Sequence, residues 1–198
     1  QPRSRGLGDV YKRQLHMMIE NKNTICAYPW NWFSFNVDYG MWRACPRSQY
    51  RWFQTEKEVD DFFNTTTQQE IRSDLYNGTR NSNCVDCYTA EDKGGMSYRQ
   101  VLKKDYAVDN ASSVIVKSPK VLELKFSNLC NLKCVFCASV CSSLWEHEIG
   151  LPQQYIDNQK VSAEYMRKSL FKWLKENIRH VDSIMSVSYT HLTLPTKA

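Results

Sequence analysis

Apolar and polar positions alternate over residues 32–37, with Phe33, Phe35 and Val37 on one side and Trp32, Ser34 and Asn36 on the other. That period of two predicts a strand. Asp38, Tyr39 and Gly40 predict a turn, with Gly40 free to take positive φ, and residues 41–45 return as the second strand of a hairpin. Residues 56–63 and 67–76 read as helices, the second with Ile71 and Leu75 at i, i+4 and a stop at Asn77-Gly78. A polar helix follows Cys84-Val-Asp-Cys87 toward Tyr106, interrupted by Gly94-Gly95. Residues 109–118 read as a linker closed by Pro119. Alternation then returns over 121–126, with Leu122, Leu124 and Phe126 opposite Glu123 and Lys125. A helix over 142–148 is closed by Gly150, residues 152–160 read as a loop, and a longer helix covers 162–179. The longer helix has Ser162 as N-cap and a core face of Met166, Leu170, Trp173, Leu174 and Ile178. Residues 181–185 predict a last strand.

The two ends change the reading of charge. Residues 9–14 can be encoded GAT GTG TAT AAG AGA CAG, and residues 187–192 can be encoded on the complementary strand of the same DNA. Residues 1–14 and 187–198 are therefore expected to be adaptor-derived tails, set aside from fold reasoning. The 198-residue chain carries a formal +5; the two tails hold +4 of it, leaving +1. The basic balance is thus no argument here for nucleic acid or membrane binding. The tryptophans between Trp30 and Trp52 read as a small core under the hairpin rather than as base-stacking platforms. No apolar run approaches the roughly 20 residues of a membrane span.

Cysteine usage carries the chemistry. Cys26, Cys45, Cys84, Cys87, Cys130, Cys134, Cys137 and Cys141 all lie between the tails. No secretory pattern precedes Cys26, and C-x2-C and C-x3-C-x2-C spacings point to thiolate-bound metal in a reducing, cytoplasmic setting rather than to disulfides. Cys130, Cys134 and Cys137 offer three thiolates on one short loop, which suits an iron–sulfur cube with one iron left open. Zinc is the alternative, with Cys141 as a fourth ligand; otherwise Cys141 is a small buried residue. His147, between two glutamates, reads as a solvated helix position.

The stretch Ser127 to Trp145, SNLCNLKCVFCASVCSSLW, with Phe136 just before the last cysteine of C-x3-C-x2-C and a strand leading in, resembles the signature of radical S-adenosylmethionine (SAM) enzymes. The resemblance implies that Cys130, Cys134 and Cys137 hold a 4Fe-4S cluster and that SAM chelates its fourth iron. It also implies that Phe136 contacts the adenine through its backbone. In that family an electron from the cluster cleaves SAM to methionine and a 5′-deoxyadenosyl radical, which abstracts hydrogen from substrate, and the resemblance implies the same reaction here. Cys26-x13-Gly40-x4-Cys45 followed by Cys84-x2-Cys87 resembles the SPASM and twitch accessory modules of the same family. That implies an auxiliary iron–sulfur cluster on Cys26, Cys45, Cys84 and Cys87, with four-cysteine zinc as the alternative. In the family such modules generally follow the barrel; here the pattern precedes it.

The implied fold is α/β: a small α+β twitch-like domain over 15–108 (β-hairpin plus helices), a linker over 109–119, and over 120–186 the first βαβ part of a partial (β/α)6 radical SAM barrel. The polar face of the first barrel strand is expected either to line the lumen, with Lys125 toward substrate or SAM, or to bridge neighbouring strands. The family's Gly-Gly-Glu loop and later strands are absent, so the chain as given is expected to be catalytically inactive. A flavodoxin- or ferredoxin-like electron donor is implied, and accessory modules of this kind suggest a peptide substrate. The non-catalytic alternative is a zinc- or iron–sulfur-binding structural or electron-transfer module.

Overall fold

The structure is a computed structural model that describes residues 24–102, 113–130 and 132–186. The expected adaptor-derived tails, the first part of the linker and the end of the polar helix near Tyr106 lie outside the described residues. One five-stranded mixed sheet organises the rest, in the order β3-β2-β1-β4-β5. Its strands are β1 (Trp32–Asn36), β2 (Met41–Arg43), β3 (Arg51–Trp52), β4 (Val121–Lys125) and β5 (Ser183–Ser186). β1, β2 and β3 are antiparallel neighbours, whereas β4 lies parallel to both β1 and β5. The hairpin and the strand before the cysteine loop therefore share one sheet, with Phe33 opposite Leu122 and Phe35 opposite Leu124.

The helices are α1 (Tyr28–Asn31), α2 (Glu56–Asp60), α3 (Thr66–Asn77), α4 (Val85–Asp92), α5 (Tyr98–Leu102), α6 (Ser143–Ile149), α7 (Gln153–Asp157) and α8 (Ala163–Asn177). Their ends follow local chemistry. Thr55, Thr65 and Ser162 cap α2, α3 and α8 with side-chain oxygens that accept the backbone N–H of Glu58, Gln68 and Tyr165. Gly78 closes α3 at φ +85, a left-handed conformation that a side chain would strain.

The core sits on one face of the sheet. Phe33 and Phe35 meet Phe62, with ring centroids 4.8 and 5.4 Å apart, and Phe62 meets Trp173 of α8 at 4.9 Å. Trp42, Leu122, Leu124, Met166 and Leu170 belong to the same buried cluster. Each fully buried side chain of this size contributes about 1.5–3 kcal/mol.

Several expectations are corrected. β2 ends at Arg43 rather than at residue 45. A third strand, β3, joins the hairpin without a period-two signal of its own; Met41 and Trp42 pair with Trp52 and Arg51. The polar helix is two helices, α4 and α5, because Gly94 takes φ +75 between them. The loop over 152–160 contains α7. Ile178 is not core: α8 gives way to a tighter turn, Ile178–His180, and Ile178 is 53% exposed. The described part of the linker has no helix or strand, yet it is stitched to the first half: Trp30 Nε1 donates to Ser113 O at 3.0 Å, and Asn64 pairs with both backbone groups of Val116.

Candidate metal-binding thiol sites

The second face of the sheet is also buried along β1 and β4, and it carries polar groups. Arg43, Ser34 and Glu123 lie side by side across β2, β1 and β4. Glu123 Oε1 accepts from Ser34 Oγ and from Arg43 Nη2, both at 2.9 Å. One residue pair further along, Asn36 stands opposite Lys125. Lys125 Nζ donates to Cys141 Sγ at 3.2 Å. Glu123 is thus a bridge between strands, while Lys125 reaches the turn that follows the cysteine loop.

The loop itself leaves the carboxyl end of β4. Its backbone is pinned by the first turn of α6. Ser142, the N-cap of α6, is fully buried and donates to Leu132 O at 2.8 Å. Ser143 Oγ lies 3.1 Å from Cys130 N, which it accepts, and 3.2 Å from Cys130 O, to which it donates. Trp145 Nε1 donates to Cys134 O at 3.0 Å, and that same oxygen accepts Cys137 N at 3.0 Å. Asn128, buried before the loop, donates to Tyr39 Oη at 2.9 Å, to Ser139 O at 3.2 Å and to Glu146.

The fixed backbone leaves the loop's side chains facing outward. Cys130, Cys134, Cys137 and Cys141 are all partly exposed and free of disulfides. Val135 is 90% and Phe136 95% exposed. The Cys137 thiol is raised by desolvation and by the neighbouring Cys134, Cys141 and Cys130. The Cys141 side chain is not a buried packing residue; it is partly exposed and holds the Lys125 ammonium. His147 is exposed on α6.

A second group of thiols forms in the first half. Cys26, Cys45, Cys84 and Cys87 line one small cavity, together with Tyr28, Tyr98 and Arg99. Cys26 precedes α1, Cys45 follows β2, and Cys84 and Cys87 flank the start of α4. Burial pushes the Cys26 thiol well up, and the Cys84, Cys45 and Cys87 thiols add repulsion. Burial likewise raises Cys45, eased by backbone hydrogen bonds at Arg47 and Ser48. Cys84 is pushed up to about 12 by burial, then by Cys45 and Cys87.

This donor set fits a thiophilic cation or cluster. Four unpaired thiols around one cavity repel one another when ionised, and a positive centre among them reverses that sign. Three partly exposed thiols on a pinned loop fit a centre that keeps one position open to solvent. Among the described residues, no group of three or more Cys, His, Asp or Glu is drawn into the geometry of a single bound ion. The loop-pinning residues Asn128, Ser143 and Trp145 escape sequence reasoning; only Ser142 carried a signal, as the first residue of a predicted helix.

Comparison with known proteins adds no assignment: no family model, curated protein or solved structure matches the chain. Among the described residues, no helix is long and apolar enough to cross a membrane.

Proposed function

We propose that this chain is part of a radical SAM enzyme, in which Cys130, Cys134 and Cys137 hold the SAM-binding 4Fe-4S cluster and Cys26, Cys45, Cys84 and Cys87 hold an auxiliary iron–sulfur centre. The observation that carries the reading is the C-x3-C-x2-C loop at the carboxyl end of β4. β4 runs parallel to its neighbours, and ligands of α/β sheets gather at that end of the strands. When bound, the cluster supplies an open iron for SAM and the electron for its reductive cleavage. The chain's own residues do the positioning. Ser142, Ser143 and Trp145 fix the backbone at Leu132, Cys130 and Cys134. Phe136 projects into solvent, leaving its backbone accessible for the adenine contact that the family resemblance implies. In this reading β4, α8 and β5 are the first βαβ unit of the barrel, and the hairpin with α2 to α4 is the twitch-like module. A flavodoxin- or ferredoxin-like donor and a peptide substrate in the cytoplasm complete it.

The test is anaerobic reconstitution of the full chain with iron and sulfide, followed by metal and sulfide analysis and electron paramagnetic resonance with and without SAM. The expected result is two clusters, one of which changes its spectrum with SAM and is lost when Cys130, Cys134 and Cys137 are all replaced by alanine. Zinc in place of iron and sulfide, or clusters indifferent to SAM, would return the chain to a structural or electron-transfer module.

A further inference from the structure

Two polar groups near the four-thiol cavity have no hydrogen-bond partner among the described residues. The Tyr88 side chain on α4 is 4% exposed, and its hydroxyl makes no hydrogen bond among the described residues. Arg99 on α5 lines the cavity. Its Nη1 donates to Ile25 O at 3.2 Å, its Nη2 pairs with Glu91, and its Nε is buried with no acceptor among the described residues. The two side chains touch: the guanidinium lies 5.2 Å from the centroid of the Tyr88 ring. The electrostatic neighbours of the Tyr88 hydroxyl include Cys84, Arg99 and Cys26.

A guanidinium N–H can only donate, and a buried donor is costly to leave unmet. Here Cys84 and Cys26 are electrostatic neighbours of the Tyr88 hydroxyl, and both line the same cavity as Arg99. A divalent ion, or a cluster core of two positive charges, held by four thiolates carries a net double negative charge. Such a centre needs donors to its sulfurs and a nearby cation, and outer hydrogen bonds of this kind tune thiolate-bound centres. Glu91 holds the Arg99 side chain in place, with Ser97 donating to the same carboxylate.

We propose that Tyr88 and Arg99 are the outer shell of an anionic four-thiolate centre, donating the Tyr88 O–H and the Arg99 Nε–H to its sulfurs. The inference rests on the reading that Cys26, Cys45, Cys84 and Cys87 bind metal, and holds for either an iron–sulfur cluster or a single divalent ion. Both are positioning residues: neither is a ligand.

The experiment uses the full chain with Cys130, Cys134 and Cys137 replaced by alanine, so that only the four-thiol site loads. It is loaded anaerobically with iron and sulfide, and separately with Co²⁺ alone, and thiolate charge-transfer absorption is followed while a chelator competes. Tyr88→Phe keeps the ring and removes only the hydroxyl; Arg99→Lys keeps the charge and removes the Nε–H. Each is expected to weaken retention of the centre by about ten-fold, with the thermal unfolding of the metal-free protein unchanged for Tyr88→Phe. Wild-type retention in both variants overturns the outer-shell assignment and leaves metal binding standing. A parent chain that forms neither centre, or forms one that survives Cys84→Ser with Cys87→Ser, overturns the metal reading itself and this inference with it.

Discussion

Arg43 on β2 and Glu123 on β4 meet across β1, Nη2 to Oε1 at 2.9 Å, with Ser34 of the intervening strand donating to the same oxygen. The contact joins residues 80 positions apart and ties the hairpin to the strand that feeds the cysteine loop. Their side chains are 20% and 11% exposed, so the pair is largely desolvated. Removing one partner of such a pair strands the other charge. Glu123→Ala is expected to lower unfolding free energy by about 2–3 kcal/mol. Glu123→Leu combined with Arg43→Met should recover most of that loss, because neither charge is then left alone. Denaturant unfolding of Glu123→Ala, of the single variants Glu123→Leu and Arg43→Met, and of their combination checks this; losses that add in the combination would show that the two side chains act independently.

Arg72 is the largest fully buried side chain. Its guanidinium gathers three separate segments: Nε donates to Pro29 O at 2.8 Å, Nη2 to Phe63 O at 2.7 Å, and Nη1 to Asn64 Oδ1 at 3.0 Å and Val114 O at 2.9 Å. Burial lowers its pKa to about 10, so it remains charged at neutral pH. Arg72→Met is expected to cost about 3 kcal/mol or more, since several buried carbonyls lose their donor together. Arg72→Lys should cost nearly as much, because an ammonium cannot span the fork. A loss below about 1 kcal/mol in either variant would mean that water replaces the guanidinium there.

How much of this arrangement can be read from the chain depends on range. α3 and α8 are legible because their stops, caps and apolar spacing are local: Ile71 and Leu75 with Gly78, and Ser162 with Met166 and Leu170. α7 is not, since Gln153, Gln154 and Asp157 offer no apolar period, and β3 is too short to show one. The alternation in β1 and β4 marks strands but says nothing of their partner. Ser34 and Glu123 are 89 residues apart, and only the fold shows that they face each other. The same limit applies to the site. Cysteine spacing singles out the thiols, whereas Ser143, Trp145, Tyr88 and Arg99 acquire a role only through what lies beside them.

The metal-free protein should weaken in alkali for a stated reason. Cys26, Cys45 and Cys84 are raised above the ordinary thiol value, each chiefly by burial, with Cys84 at about 12. Raised in the fold, these groups keep protons that the unfolded chain releases once pH passes about 9. Their contribution is therefore complete below pH 9 and is lost as pH climbs toward 12. Denaturation midpoints of metal-free protein are expected to fall between pH 8 and pH 10.5, with a smaller fall in Cys84→Ser. Metal loading should flatten the profile, because bound thiolates no longer carry protons in the fold. A metal-free profile equally flat would mean that these thiols are hydrated when the chain is folded.

The indole of Trp145 offers a way to disturb the cysteine loop without touching a sulfur. Its Nε1 donates to Cys134 O, which also accepts Cys137 N, so one carbonyl sets the positions of two of the three thiols. Lys133, paired with Glu148, lies 5.6 Å from the indole centroid. Trp145→Phe keeps an aromatic ring there and removes the donor. One neutral hydrogen bond is worth about 1 kcal/mol, so global stability should change little. Cluster retention on Cys130, Cys134 and Cys137 should suffer more, because three ligands share the cost of a loosened backbone. Iron release to a chelator, compared between wild type and Trp145→Phe with the four-thiol site intact in both, separates the two effects. Faster loss of the SAM-responsive signal with an unchanged melting temperature is the expected outcome; equal release rates would mean that Ser142 and Ser143 hold the loop unaided.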